Sequence, residues 1–161
     1  MIYQSPLPSG PELIPAILAG LRKIVNHYGS DPAVRAAAIY QLKGLGNDDQ
    51  MGQATRLHAF VRDNVTYVGD PLEGEFVTSP YQLLAGIANG KQVFGDCDDH
   101  AVLLSAMLQS LGLNSMVVAV KLGDEYDHAV SIASIKGKWV ILDPCAKDGS
   151  MPDYDDILLP A

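Results

Sequence analysis

The chain has 161 residues, 48% of them hydrophobic and 19% charged, which fits an ordinary globular domain able to bury a core without staples. Eleven basic against nineteen acidic residues give a net charge of −8, the wrong sign for binding a phosphate backbone or an anionic membrane. Two cysteines cannot build a disulfide framework.

In chain order, residues 1–10 read as an extended arm. Met1 to Pro6 carries no basic cluster, and Pro6, Pro8, Pro11 and Pro15 break any signal-like apolar run. No stretch approaches the ~20 apolar residues of a membrane-spanning helix. The expectation is a cytoplasmic protein, or one released without a signal. Leu13, Ile17, Leu18, Leu21, Ile24 and Val25 recur at helical spacing. Asp31-Pro32 reads as an N-cap with proline at the first helical position, opening a helix over 33–42 that Gly44 and Gly46 end. Asp48, Asp49 and Gln50 start a third helix, with Ala54, Leu57, Phe60, Val61 and Val65 on its apolar stripe. Gly69-Asp70-Pro71 closes a helical part spanning 1–70.

Residues 72–90 read as a loop and a short helix announced by Ser79-Pro80 and stopped by Gly90. A strongly apolar helix over 97–111 follows Gly95 and ends at Gly112. The period then changes to strands over 116–122, 128–135 and 139–143, with 123–127 a polar loop and Lys136-Gly137 a two-residue hairpin turn. The tail 153–156 is acidic and reads as solvated. Helices first and strands later predict an α+β fold with a small antiparallel sheet, organised as one domain over 1–161.

The chemistry concentrates in Gly95-Asp96-Cys97-Asp98-Asp99-His100-Ala101. Cys97 begins the stripe Cys97, Ala101, Leu104, Leu108, Leu111, so its thiol lies at the first turn of a buried helix, where the macrodipole favours a thiolate. Acids in the same turn oppose that effect. A cysteine at a helix start also serves as a small buried hydrophobe, which is the plain alternative. The hairpin adds the decisive constraint. If Ile135 pairs with Lys138, the register puts His128 opposite Cys145 and makes Asp143 its diagonal neighbour on one face, about 7–8 Å away by Cα and within side-chain reach. Thiol, imidazole and carboxylate then form a nucleophile, base and orienter over 95–145.

Three blocks carry a resemblance: Gly95 through Leu104, Asp127-His128-Ala129-Val130, and Trp139 through Pro144. Together they resemble the transglutaminase-like superfamily of papain-like cysteine enzymes, most closely its small phage and prophage members. Residues 60–68 and 79–84 are similar to upstream segments of that group, so the resemblance spans about 50–145. It implies a triad of Cys97, His128 and Asp143, and acyl transfer from a peptide or other amide through a thioester to water or an amine. It implies no cofactor, and it allows virion association. Two features depart from the pattern. Cys145 stands where a polar residue is usual, either packing or able to form an inhibitory disulfide with Cys97. No tryptophan precedes the nucleophile, which leaves Gln92 and Gln82 as candidate side-chain donors to an oxyanion.

Asp96, Tyr126 and Asp127 are candidate substrate contacts beside the triad. Six acids near the site (Asp96, Asp98, Asp99, Asp124, Glu125 and Asp127) favour cationic or neutral amides. A metal held by Cys97 and His100 with Asp96 or Asp99 and His128 is the rival reading, disfavoured because structural zinc sites carry more thiolates and hard ions rarely recruit thiols. His100 is expected to hydrogen-bond within its helix or to a nearby loop, His27 and His58 to sit at the surface or its boundary, and Trp139 to sit in the core. The competing functional class is a structural or binding module that retains the fold without turnover.

Overall fold

A computed structural model describes residues 2–3, 10–69, 76–146, 154 and 156–160. The expected turn at Asp70-Pro71, the loop over 72–75 and most of the arm and acidic tail lie outside these residues. A 3-10 turn (Gly10–Glu12) leads into α1 (Leu13–Tyr28), followed by α2 (Pro32–Gln41) and α3 (Gln50–Asn64). Asp31 caps α2 by accepting from the Ala33 and Val34 N–H groups, and Asp49 caps α3 by accepting from Gly52 N–H. Both caps satisfy N–H groups that a helix start leaves orphaned.

The four-stranded sheet is antiparallel. It is built from β5 (Ser115–Lys121), β6 (Tyr126–Ile135), β7 (Lys138–Leu142) and β8 (Ile157–Leu158) in the order β7-β6-β5-β8. Lys136 (φ 50°) and Gly137 (φ 80°) both take the left-handed conformation, as a two-residue primed hairpin turn requires. Ile135 pairs with Lys138 and the ladder runs unbroken to Ser131–Leu142, the register expected from the turn.

The helix α5 (Cys97–Ser110) lies against this sheet and against α1, α2 and α3. Enclosed on all sides, it buries far more than one stripe: Ala101 to Leu108 are all fully buried. Its polar Ser105 bonds Ser131 of β6 at 2.7 Å, and Ser115 bonds the same hydroxyl at 3.2 Å, so hydroxyl pairs fix the helix to the sheet inside an apolar core. The remaining helix, α4 (Pro80–Ala88), is capped by Ser79, whose hydroxyl accepts from Gln82 N–H.

The helical part is not purely helical. Residues Ile2–Tyr3 form β1, paired antiparallel with β3 (Val77–Thr78). Val65 ends the α3 stripe in sequence but begins β2 (Val65–Tyr67), which runs parallel to β4 (Val93–Gly95). Three-residue strands carry too little periodicity to show against a helical background. Tyr126 and Asp127 belong to β6 rather than to a loop, after an irregularity in its register with β5 at Val120/Lys121. Trp139, expected in the core, is half exposed because β7 is the outer strand of the sheet. Among the described residues, no helix is long and apolar enough to cross a membrane.

Candidate active site

Cys97 sits at the first position of α5, and the turn holding it is fixed from several directions. Asp96 is the N-cap: its carboxylate accepts from Asp99 N–H at 3.1 Å, and Asp99 returns the bond to Asp96 N–H at 3.0 Å, a reciprocal capping box. The second oxygen of Asp99 accepts from Thr78 N–H on β3. His100 sets its Nδ1 against the Asp96 carbonyl (2.7 Å) and its Nε2 against the Val65 carbonyl (3.0 Å), tying the helix start to β2. Gly95 is required sterically: a Cβ there would stand 2.6 Å from the Asp99 Cβ.

The partner residues come from the hairpin. His128 Nε2 and Asp143 Oδ2 are 2.8 Å apart across β6 and the end of β7. With Nε2 donating to the carboxylate, Nδ1 is the ring nitrogen left to exchange a proton. Asp143 also receives Cys145 N–H on Oδ1 (2.9 Å) and the Tyr154 hydroxyl on Oδ2 (2.8 Å). Its backbone carbonyl meets Nε2 of His58 at 2.9 Å. Burial alone would raise the Asp143 pKa. The hydrogen bond and charge of His128, the Tyr154 hydroxyl and the Cys145 N–H outweigh it and hold the group below the ordinary carboxylate value.

The thiol is shifted the other way. Burial first, then the charges of Asp98 and Asp96, push Cys97 up to about 12, against the smaller opposing effect of the Ala129 and Asp98 backbone N–H groups. Asp98 Oδ1 lies 3.9 Å from the sulfur. The helix dipole therefore loses to desolvation and like charge, and the resting group is a neutral thiol. Cys145 is raised as well, by burial and the charge of Asp143, with Cys97 among the further contributors. Both cysteines are free thiols.

Cys97 and His128 line one cleft of about 410 Å³. Ile14, Ile17 and Leu21 of α1 form an apolar wall, and Asp98, Glu125 and Asp127 supply acidic groups. Among the described residues no lysine or arginine lines it, and no group of three or more His, Cys, Asp or Glu residues could hold a metal ion.

Of the residues singled out from sequence, Cys97, His128, Asp96, Tyr126 and Asp127 line this cleft, and Asp143 bonds His128 behind it. The Asp96 carboxylate is engaged in the cap. Gln92 is absent from the lining: it is exposed and pairs with Thr66 at 3.4 Å, because β4 turns it toward β2. Gln82 is likewise exposed and bound into the Ser79 cap. His58 is not a boundary residue but is 1% exposed, and it meets the carbonyl of Asp143. Its place on the stripe side of α3, one residue from Leu57, was the available signal. Tyr154 gave no signal, since the tail around it reads only as acidic.

The sequence profile of the transglutaminase-like superfamily matches residues 37–144. Among solved structures, the chain is similar to a candidate protease from Parabacteroides distasonis (TM-score 0.60, 22% identity), over 80% of this chain and 26% of that one. It is similar to a candidate cysteine protease from Cytophaga hutchinsonii (TM-score 0.55, 18% identity), over 79% of this chain and 42% of that one. LapG from Legionella pneumophila aligns over 96% of this chain and 81% of its own (TM-score 0.51, 20% identity). The chain thus spans 26% of the length of the first and 42% of the second. No curated protein matches it in sequence.

Proposed function

The chain belongs to the transglutaminase-like superfamily, and from that premise we propose that it is a cysteine-nucleophile enzyme acting on amide bonds. The observation that carries this reading is the 2.8 Å His128–Asp143 pair beside the cleft that Cys97 also lines.

Because the thiol rests neutral, the chemistry runs by general base catalysis rather than through a preformed ion pair. His128 Nδ1 takes the Cys97 proton as the sulfur attacks the amide carbon. Asp143 holds the ring's Nε2–H and stabilises the imidazolium that forms. The tetrahedral intermediate collapses with cleavage of the C–N bond, and His128 returns its proton to the departing amine. Water or a second amine, deprotonated by His128, then attacks the resulting thioester; the C–S bond breaks, the acyl group departs as an acid or a new amide, and His128 returns the proton to the Cys97 sulfur. The Cys97 backbone N–H at the start of α5 is the proposed oxyanion donor. The substrate is a peptide or other amide.

Mass spectrometry after incubation with peptide and peptidoglycan-fragment pools is the direct test. An acyl adduct on Cys97, absent in Cys97→Ala, is expected. The raised thiol pKa favours one second reading, a structural or binding module that keeps the fold without turnover. Iodoacetamide labelling separates the two. An enzyme shows modification of Cys97 that slows in His128→Ala, whereas equally sluggish labelling of both proteins would leave only the module.

A further inference from the structure

We infer that Tyr154 is a positioning residue that shares Asp143 with His128 and limits how strongly the carboxylate stabilises the protonated imidazole. The inference rests on the triad reading above.

Both Tyr154 Oη and His128 Nε2 lie 2.8 Å from the same oxygen, Asp143 Oδ2, while Oδ1 is occupied by Cys145 N–H. The carboxylate is buried, so these protein donors replace the water that would otherwise solvate it. Two donors on one oxygen compete for its electron density, and each weakens the hold of the other. The phenol ring also packs 6.3 Å from the imidazole, centroid to centroid. Burial and the bond to Asp143 raise the Tyr154 hydroxyl above the ordinary phenol range, so it is a protonated donor at neutral pH. Its segment is held by β8, where Ile157 and Leu158 pair with Val120 and Ala119; Val120 in turn pairs with His128.

The other titratable groups around the pair act from elsewhere. Asp143 itself is shifted by burial, His128, the Tyr154 hydroxyl and the Cys145 N–H, whereas the charges of Asp96 and Asp98 at the start of α5 and of Cys97 bear on the neighbouring Cys145 thiol. Glu125, Tyr126 and Asp127 lie along the cleft, and His58 meets the Asp143 carbonyl rather than its carboxylate. Tyr154 is therefore the donor positioned to set the carboxylate's strength.

The test is the titration of the His128 ring nitrogens by NMR in the full chain, for wild type, Tyr154→Phe and a variant carrying a ring-fluorinated tyrosine at 154. Tyr154→Phe removes the competing donor, so the His128 midpoint moves to higher pH by about half a unit. The fluorinated phenol donates more strongly and moves the midpoint lower. A residue that merely packed the tail would give no shift. Loss of packing would displace Asp143 and lower the midpoint in Tyr154→Phe; either result overturns the proposal. Labelling of Cys97 by iodoacetamide in His128→Ala is read in parallel. If that substitution leaves labelling unchanged while the NMR shifts appear, the catalytic reading fails and the positioning role of Tyr154 stands.

Discussion

Asp98→Asn is the sharpest probe of what holds the Cys97 thiol neutral. At 3.9 Å from the sulfur, a unit negative charge disfavours the thiolate by about 1 kcal/mol if fully solvated and by about 4 kcal/mol at an effective dielectric of 20. At 1.36 kcal/mol per pH unit, removing it lowers the thiol pKa by about 0.7 to 3 units. Burial is the larger cause of the raised thiol, which places the effect of Asp98 toward the lower part of that range. With the wild-type thiol at about 12, its thiolate fraction at pH 8 is about one in ten thousand. Asp98→Asn raises that fraction at least about fivefold. The measurement is the rate of iodoacetamide modification of the Cys97 peptide at pH 8 by mass spectrometry, in a His128→Ala background so that no general base contributes. Separate quantification of the Cys145 peptide supplies the internal control. Rates within twofold of each other would mean that desolvation alone sets the thiol and that the electrostatic account of the helix start is wrong.

Gly95→Ala forces its new methyl against Asp99, whose carboxylate serves the cap and Thr78; a loss of about 1–3 kcal/mol in urea denaturation is expected, and an unchanged midpoint would show that Asp99 gives way freely. His58→Leu strands the buried Asp143 carbonyl and costs about 1–3 kcal/mol. His58→Gln, which keeps an N–H donor, recovers part of that loss, and equal destabilisation by both variants would count against the hydrogen bond. The acidic side of the cleft predicts faster turnover of a peptide with lysine beside the scissile amide than of its glutamate counterpart, with the gap narrowing between 0.01 and 0.1 M salt as the Debye length falls from about 30 to about 10 Å. A preference for the glutamate peptide would contradict that assignment.

The parts of the fold legible in the sequence are those with a local cause. Asp31-Pro32, Ser79-Pro80 and the glycine-terminated α5 each announce a boundary through capping chemistry confined to a few residues. Lys136-Gly137 does more, because a two-residue primed turn fixes the register of every pair that follows it. The observed Ile135–Lys138 pairing therefore carries the His128–Asp143 contact almost automatically. What stayed hidden is non-local. The parallel pairing of β2 with β4 joins segments nearly thirty residues apart, and nothing in Val65-Thr66-Tyr67 distinguishes a short strand from the end of α3. Gln92 was a reasonable donor by proximity to Cys97 in sequence, but that same β2–β4 pairing turns it toward Thr66.

Asp143 shows why a three-residue constellation read from sequence describes only half of such a site. Its carboxylate and carbonyl bond side chains from α3, β6 and the C-terminal segment, together with the N–H of Cys145. Two of these groups, His58 and Tyr154, lie 85 and 11 residues away in sequence, outside any motif. The ordinary cost of burying a carboxylate explains the convergence: without several donors the group would take up a proton, and a protonated Asp143 could not stabilise a charged His128. The Asp143 pKa is depressed in the folded chain, so its contribution to stability is present above the unfolded carboxylate value near 4 and disappears as pH falls through the lower folded value. Acidification therefore weakens the bonds that tie the hairpin and Tyr154 to one carboxylate, while the bond from His58 of α3 to the Asp143 carbonyl is left in place. In Asp143→Asn, the part of the acid-induced loss of stability that belongs to this residue is absent.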